Sequence, residues 1–259
     1  MTPRLRGIAL IAVTAAALAA ALYAPPFAQP LSYHNFADRR AVFGVPNFAD
    51  MLSNLPFLYV GLAGLWALRP GGRAVVLEPL GRLPYLMFFF GILLAAFGSS
   101  WYHLAPDNQR LLWDRLPIAV ALMGLVCALI AERVQPMLGR ALTMPAVVTG
   151  MASVWYWQWS AAHGAENLMP YLVLQGYAIV MVLLLATLYP SGYTHGRMLF
   201  AVCGWYALAK LLEWGDAWIY QLGGVVSGHT LKHLASALAS WWVLRMLILR
   251  RPQPKAATA

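Results

Sequence analysis

The chain has 259 residues, of which 61% are hydrophobic and 10% are charged, and its formal net charge is +9. The apolar residues come in long blocks without the alternation of a soluble protein, which indicates a membrane protein. This composition excludes a soluble nucleic-acid-binding domain, because most arginines fall in short connections between apolar blocks and act there as topology signals and headgroup contacts. Cys127 and Cys203 lie inside apolar blocks, so they do not indicate a disulfide framework.

Eight apolar blocks approach the roughly 20 residues needed to cross a bilayer. They cover residues 6–24, 47–69, 84–104, 115–133, 142–161, 169–188, 198–219 and 229–248. We therefore predict an all-α fold, a polytopic membrane helix bundle with a seven-helix core in residues 31–249 and an uncleaved anchor helix in residues 1–30. Pro25 and Pro26 argue against a cleaved signal peptide, because they stand where cleavage would occur. Residues 250–259 are predicted to be a disordered cytoplasmic tail.

The distribution of basic residues predicts the orientation of the bundle. With the N-terminus inside, the inner connections contain Arg4, Arg6, Arg69, Arg73, Arg82, Arg133, Arg140, Arg197, Arg250, Arg251 and Lys255. The outer connections contain only Arg39, Arg40, Arg110 and Arg115. This is a positive-inside pattern. It predicts cytoplasmic N- and C-termini, and the Ala/Leu/Arg-rich composition with few lysines points to a bacterial inner membrane.

Five polar residues are predicted to lie at one depth, near the outer ends of three helices. Ser99 and His103 are four residues apart at the end of the third block, so they share a helical face. Asp114 stands at the start of the fourth block, three residues before a proline typical of a first helical turn. His229 and His233 have the same i,i+4 spacing at the start of the last block.

Three converging imidazoles with a carboxylate and a hydroxyl beside them are typical of a catalytic zinc site, in which a fourth position is left for water. Imidazole suits zinc, although other first-row divalent ions can compete for it. Each residue also has a structural explanation: His103 as an interfacial histidine, Asp114 as a helix N-cap, Ser99 bonded to its own helix, and His229 with His233 as a packing pair. Because polar groups at membrane depth are costly, their joint occurrence favours the metal site.

This pattern resembles the CREST superfamily of seven-helix membrane hydrolases, which includes the alkaline ceramidases and the progestin and adipoQ receptors. The eleven-residue step from His103 to Asp114 resembles the ceramidase branch, as does the stretch 47–57. The likeness covers residues 33–248. The positions that carry it are Ser99 with His103, Asp114, and His229 with His233.

The resemblance implies a Zn2+ ion held by His103, His229 and His233, with Asp114 and Ser99 contacting the zinc-bound water. It also implies hydrolysis of the N-acyl bond of ceramide or a related membrane lipid, with no nucleic-acid partner. Asp114 would act as general base and Ser99 would hydrogen-bond the water or the oxyanion.

Ceramidases also carry an acidic N-terminal segment that binds calcium. The matching stretch here, residues 33–50, does not reproduce the acidic pattern, and it offers Asp38, Asn47 and Asp50 as candidate Ca2+ or headgroup contacts. Lys232 lies about 100° around the helix from each neighbouring histidine. We expect it to contact a headgroup or a substrate carboxylate.

Other functions compete with the hydrolase. Lys210, Glu213 and Asp216 are spaced three apart, which fits an internal ion pair but also a proton or ion path in a transporter. A haem protein is disfavoured, because paired histidines on one face of one helix cannot ligate haem from opposite sides. A non-catalytic receptor-like protein, in which zinc only holds helices together, is the third alternative.

Overall fold

The computed structural model describes residues 1–76 and 79–253 of the chain. Within these ranges the regular structure is helical, and no β-sheet is formed. A 3-10 turn at Leu31–His34 and another at Pro79–Gly81 accompany the α-helices. The helices are α1 (Pro3–Tyr23), α2 (Phe48–Leu52), α3 (Leu55–Leu68), α4 (Arg82–Leu104), α5 (Asn108–Arg133), α6 (Pro136–Ala162), α7 (Met169–Leu188), α8 (Met198–Trp214), α9 (Asp216–Gly223) and α10 (Gly228–Leu249).

The predicted helical membrane bundle is confirmed. In the described residues six helical segments are long and apolar enough to span a membrane: Pro3–Tyr23, Phe48–Leu68, Pro79–Leu104, Asn108–Arg133, Pro136–Ala162 and Met169–Leu188. The other two predicted spans form α8 and α10 but are not in this set. The former stops at 17 residues and is followed by the separate helix α9, while the latter begins with a polar turn containing two histidines and a lysine.

The fourth predicted span begins earlier than its apolar run suggests. Helix α5 starts at Asn108, because the Asp107 carboxylate caps it by accepting a hydrogen bond from the Arg110 backbone N–H at 2.7 Å. Asp114 therefore lies in the second turn, and Pro117 is inside the helix. The expectations that Pro117 marks the first turn and that Asp114 starts the helix, including its reading as an N-cap, are wrong.

The second predicted span is interrupted between α2 and α3. The side chains of Ser53 and Asn54 donate hydrogen bonds to the carbonyl oxygen of Asp50, at 2.8 and 3.0 Å. Such side-chain donors compete with the backbone donors of a continuous helix. The break leaves the Asp50 carbonyl available to side chains from other parts of the bundle.

The first four residues of the predicted C-terminal tail, 250–253, contact the bundle. Arg250 is buried, pairs with Glu132 at 2.5 Å and donates a hydrogen bond to the carbonyl of Val75 at 2.7 Å. The Gln253 backbone N–H reaches the carbonyl of Gly192 at 2.9 Å. These contacts hold residues 250–253 against the bundle. The Arg250 guanidinium supplies the cation that the buried Glu132 side chain requires. The rest of the predicted tail, residues 254–259, lies outside the described residues.

Two glycines allow the helices around the polar residues to approach closely. A Cβ atom at Gly98 on α4 would overlap the carbonyl oxygen of Trp113 on α5. A Cβ atom at Gly228 would overlap the carbonyl oxygen of Leu212 at the end of α8. The first contact lies directly beside Ser99, and the second lies at the start of the helix that carries two of the histidines.

We expect Gly98→Ala to destabilise the protein by about 1–3 kcal/mol, because α4 and α5 must separate to admit the methyl group. Thermal unfolding of the purified protein in detergent measures the effect. Gly176→Ala on α7 is the matched control, since no atom lies within 4 Å of its added Cβ. Equal unfolding temperatures for the two variants would contradict this account of the helix contact.

Candidate metal centre

Three histidines form a compact triangle inside the bundle. His103 lies in the last turn of α4, while His229 and His233 lie on successive turns at the start of α10. The centroid of the His103 ring is 4.9 Å from that of His229 and 5.0 Å from that of His233, and the two α10 rings are 4.9 Å apart. One nitrogen from each ring lies within 4.8 Å of the others, so the group could hold a metal ion.

Several ring nitrogens of this triangle lack hydrogen-bond partners in the described part of the chain, and a metal ion would supply the missing interaction. Both ring nitrogens of His103 and Nε2 of His229 are buried without a hydrogen-bond partner among the described residues. Leaving such groups desolvated and unpaired costs free energy. Ligands at the zinc–nitrogen distance of about 2.0–2.1 Å would be about 3.3 Å apart in a tetrahedral site, so the nitrogens would have to move closer by up to about 1.5 Å when a metal binds.

The orientation of His233 is set by α2 and the residue that follows it. Its Nδ1 is 3.2 Å from the carbonyl oxygen of Asp50 and 2.7 Å from the hydroxyl of Ser53. Because a carbonyl only accepts, Nδ1 carries the proton, and Nε2 keeps its lone pair for a metal. Metal-binding histidines are commonly held in this way by an outer partner.

The carboxylate of Asp50 anchors the start of α10. It is fully buried, and its Oδ1 accepts hydrogen bonds from the hydroxyls of Thr230 at 2.6 Å and Ser227 at 3.3 Å. The Ser227 hydroxyl also caps the helix by accepting from the Thr230 backbone N–H at 3.0 Å. These bonds fix the first turn of α10, which carries His229.

The segment between α1 and α2 covers the triangle. The Phe36 ring packs on the rings of His103 and His229, with centroids 4.6 and 4.4 Å away. Asp216, at the start of α9, accepts from the Ala37 backbone N–H at 2.9 Å and from the His229 backbone N–H at 2.7 Å. The carboxylate therefore ties the covering segment to the helix that carries two ligands.

Asp38 and Asn47, the other two candidate calcium contacts, bind protein groups. Asp38 pairs with Arg40 at 2.6 Å, and the hydrogen bond from that guanidinium holds the pKa of the carboxyl below its ordinary value. The Asn47 side chain donates to the carbonyl oxygen of His103 at 2.9 Å. Asp38 therefore acts within the covering segment, whereas Asn47 and Asp50 attach the end of that segment and α2 to the histidine-bearing helices.

A cavity of about 450 Å³ adjoins the triangle between α4, α5, α7, α8 and α10. Ser99, Asp114 and His233 line it, so the hydroxyl and the carboxylate selected from the sequence face one cavity together with a histidine of the triangle. The structure thus brings together the five residues selected from the sequence. Away from the triangle the cavity is apolar, with walls formed by Phe88, Ile92, Leu122, Leu125, Val182 and Val202.

A charged cluster borders the same cavity. Glu213 pairs with Lys232 at 2.5 Å and with Lys210 at 3.0 Å, and it accepts a hydrogen bond from the Tyr33 hydroxyl at 3.0 Å. Burial, supplemented by this carboxylate, raises the pKa of Tyr33. The predicted pair of Lys210 with Glu213 is present, with 51% of the Lys210 side chain exposed, whereas Asp216 lies on α9 and bonds to the covering segment. Lys232, expected to contact substrate, has Glu213 as its partner.

The sequence interpretation missed Arg115. It was counted among the charges of an outer connection, yet only 6% of it is exposed and it lines the cavity inside the bundle. The signal that could have revealed it is the position of an arginine directly after Asp114, within a run that is otherwise apolar. The helix start at Asn108 places both residues in the bundle.

No known protein-family model matches the chain, and no curated protein matches it significantly. The interpretation of the site therefore depends on the geometry of its residues.

We expect the purified protein to contain about one zinc ion per chain, and His103→Ala, His229→Ala or His233→Ala each to abolish it, because two imidazoles are too few for a closed site. Inductively coupled plasma mass spectrometry measures the metal. His163→Ala is the control, because this histidine is exposed and bonds the carbonyl of its own helix. Full zinc content in a triangle variant would rule out this centre.

Replacing Ser53, one of the two groups that hold the His233 ring, should weaken metal binding without removing a ligand. We expect Ser53→Ala to reduce zinc affinity about 10–100-fold, measured by competition with a chelator. Ser153→Ala provides the same change at a hydroxyl that bonds only its own helix, at the carbonyl of Gly150. Unchanged affinity in Ser53→Ala would show that this hydroxyl does not position the ring.

Proposed function

We propose that the protein is a zinc-dependent integral-membrane amidase that hydrolyses the N-acyl bond of ceramide or a related N-acyl lipid. The observation that carries the proposal is the buried triangle of His103, His229 and His233 next to a cavity lined by Asp114 and Ser99. The resemblance of these five positions to the CREST hydrolases supports the same chemistry.

The reaction requires a nucleophilic water, a base and a place for developing negative charge. A bound zinc would supply acidity to a coordinated water and polarise the acyl carbonyl. Asp114 accepts a proton from the attacking water and later delivers it to the leaving nitrogen. The water oxygen bonds to the acyl carbon and the C–N bond breaks, which yields a fatty acid and an amine. Ser99, beside Asp114, donates a hydrogen bond to the carbonyl oxygen as its charge develops.

The volume and the apolar lining of the cavity support a lipid substrate. Its volume lies within the range of about 300–1,000 Å³ common for small-molecule sites. The reacting groups stand at one part of it, while aromatic and aliphatic side chains such as Phe88, Leu125 and Val182 line another. A lipid can therefore place its amide at Asp114 and its acyl chain among the apolar side chains, which stabilises the complex by removing apolar surface from water.

We place the protein in a bacterial inner membrane, with both termini in the cytoplasm and the amidase site towards the outer face. The support is the excess of arginine in the connections assigned to the inside. In this orientation the site lies near the outer headgroups, at the depth of a lipid amide bond.

Asp114→Asn is expected to reduce hydrolysis of N-acyl lipids at least about 100-fold while zinc remains bound, because the amide cannot accept the proton. Released fatty acid from a short-chain ceramide, measured by mass spectrometry, gives the rate. Asp107→Asn is the matched control, since asparagine also caps helices well and Asp107 lies at the start of the same helix. A zinc-loaded Asp114→Asn protein with wild-type activity would refute the role of this carboxylate.

A further inference from the structure

Arg115 is the buried cation of the cavity that the proposed mechanism does not use. It lies on α5 directly after Asp114, and its side chain lines the cavity with only 6% of the residue exposed. Its Nη2 donates to the side-chain oxygen of Gln29 at 2.5 Å. Its Nη1 is buried and has no hydrogen-bond partner in the part of the chain that the structure describes.

The surroundings of Arg115 do not neutralise its charge. None of the carboxylates in residues 1–76 and 79–253 lies within 4.0 Å of it. Three aromatic rings surround the guanidinium instead, with centroids 4.5 Å away for Trp157, 5.4 Å for Tyr171 and 5.5 Å for Tyr33. Aromatic faces attract a cation and fix its plane, but they do not satisfy its in-plane N–H donors.

The charges that line the cavity leave a positive excess. Three of its side chains are cationic (Arg115, Lys210 and Lys232) and two are acidic (Asp114 and Glu213), so the formal balance is 3 − 2 = +1. Both lysines pair with Glu213, whereas the guanidinium has no ion-pair partner among the described residues. A divalent metal in the histidine triangle would increase the excess. Buried charge of this kind requires a partner, and the cavity is where a ligand can supply one.

We propose that Arg115 binds an anionic group on the amine side of the substrate, so that the preferred lipid is an N-acyl amino acid or an N-acyl aminoalkyl phosphate and not neutral ceramide. This inference rests on the proposed amidase function and names its substrate class. A guanidinium presents parallel N–H donors that match a carboxylate or a phosphate. Since Arg115 and the base Asp114 line the same cavity, one bound lipid can present its amide to the carboxylate and its anionic group to the guanidinium.

Three substrates with one acyl chain test the proposal on the zinc-loaded full-length protein. N-oleoylethanolamine carries a neutral hydroxyl, N-oleoylglycine a carboxylate and N-oleoylphosphoethanolamine a phosphate. We expect kcat/KM for one or both anionic lipids to exceed that of the neutral lipid about 100-fold, because the neutral headgroup leaves the buried guanidinium unpaired. The relative rates of the two anionic lipids identify the anion that the site recognises.

Substitution of the arginine should remove this preference selectively. Arg115→Gln is expected to lower kcat/KM about 100-fold for the preferred anionic lipid and less than threefold for N-oleoylethanolamine. Arg110→Gln is the matched control, because Arg110 lies on the same helix but pairs with Asp107 outside the cavity. Arg115→Lys keeps the charge without the planar donors and should fall between the wild type and Arg115→Gln. If Arg115→Gln fails to fold, Arg115→Lys and the wild-type substrate preference still decide the question.

The outcomes separate this inference from the proposed function. Hydrolysis of the neutral lipid at a rate equal to or above both anionic lipids would overturn the role of Arg115 and leave the amidase intact. Hydrolysis of none of the three would count against the amidase, and isothermal titration calorimetry would then test Arg115 alone. In that case, tighter binding of N-oleoylglycine or N-oleoylphosphoethanolamine than of N-oleoylethanolamine, lost in Arg115→Gln, supports the anion site. Equal binding of all three lipids overturns it.

Discussion

The rest of the structure depends on three imidazole rings that meet inside an apolar bundle. Both nitrogens of His103 and Nε2 of His229 are removed from water without receiving a hydrogen bond in return from the described residues. In a low-dielectric interior this arrangement is unfavourable unless another group supplies the missing interaction. A metal ion would bind one nitrogen of each ring at once, which gives the arrangement a physical reason.

The groups around the triangle hold the rings in place but are not themselves candidate ligands of a metal bound there. Asp50 fixes the first turn of α10, Ser53 and the Asp50 carbonyl orient His233, and Asp216 connects the covering segment to His229. Phe36 closes the remaining side. Such outer contacts lower the cost of ordering the ligands when a metal binds.

The cavity combines an apolar wall with an unbalanced charge. Neighbouring residues on α5 differ there: Asp114 lines the cavity with Ser99 and is the proposed proton acceptor, and Arg115 stands among aromatic rings with an unsatisfied donor. Coulomb interactions are stronger where water is excluded. One turn of α5 therefore carries both the base of the proposed reaction and the proposed anion-binding residue.

The sequence by itself determined the helical membrane bundle and the three histidines that could hold a metal ion. Long apolar blocks require backbone hydrogen bonds within each segment, and i,i+4 spacing places Ser99 with His103, and His229 with His233, on shared helical faces. Only the tertiary structure decided that Arg115 lies in the cavity. It also brought Asp50 to Thr230 across 180 residues. Spacing along one helix predicts neighbours within it, whereas contacts between helices depend on their rotation and close approach.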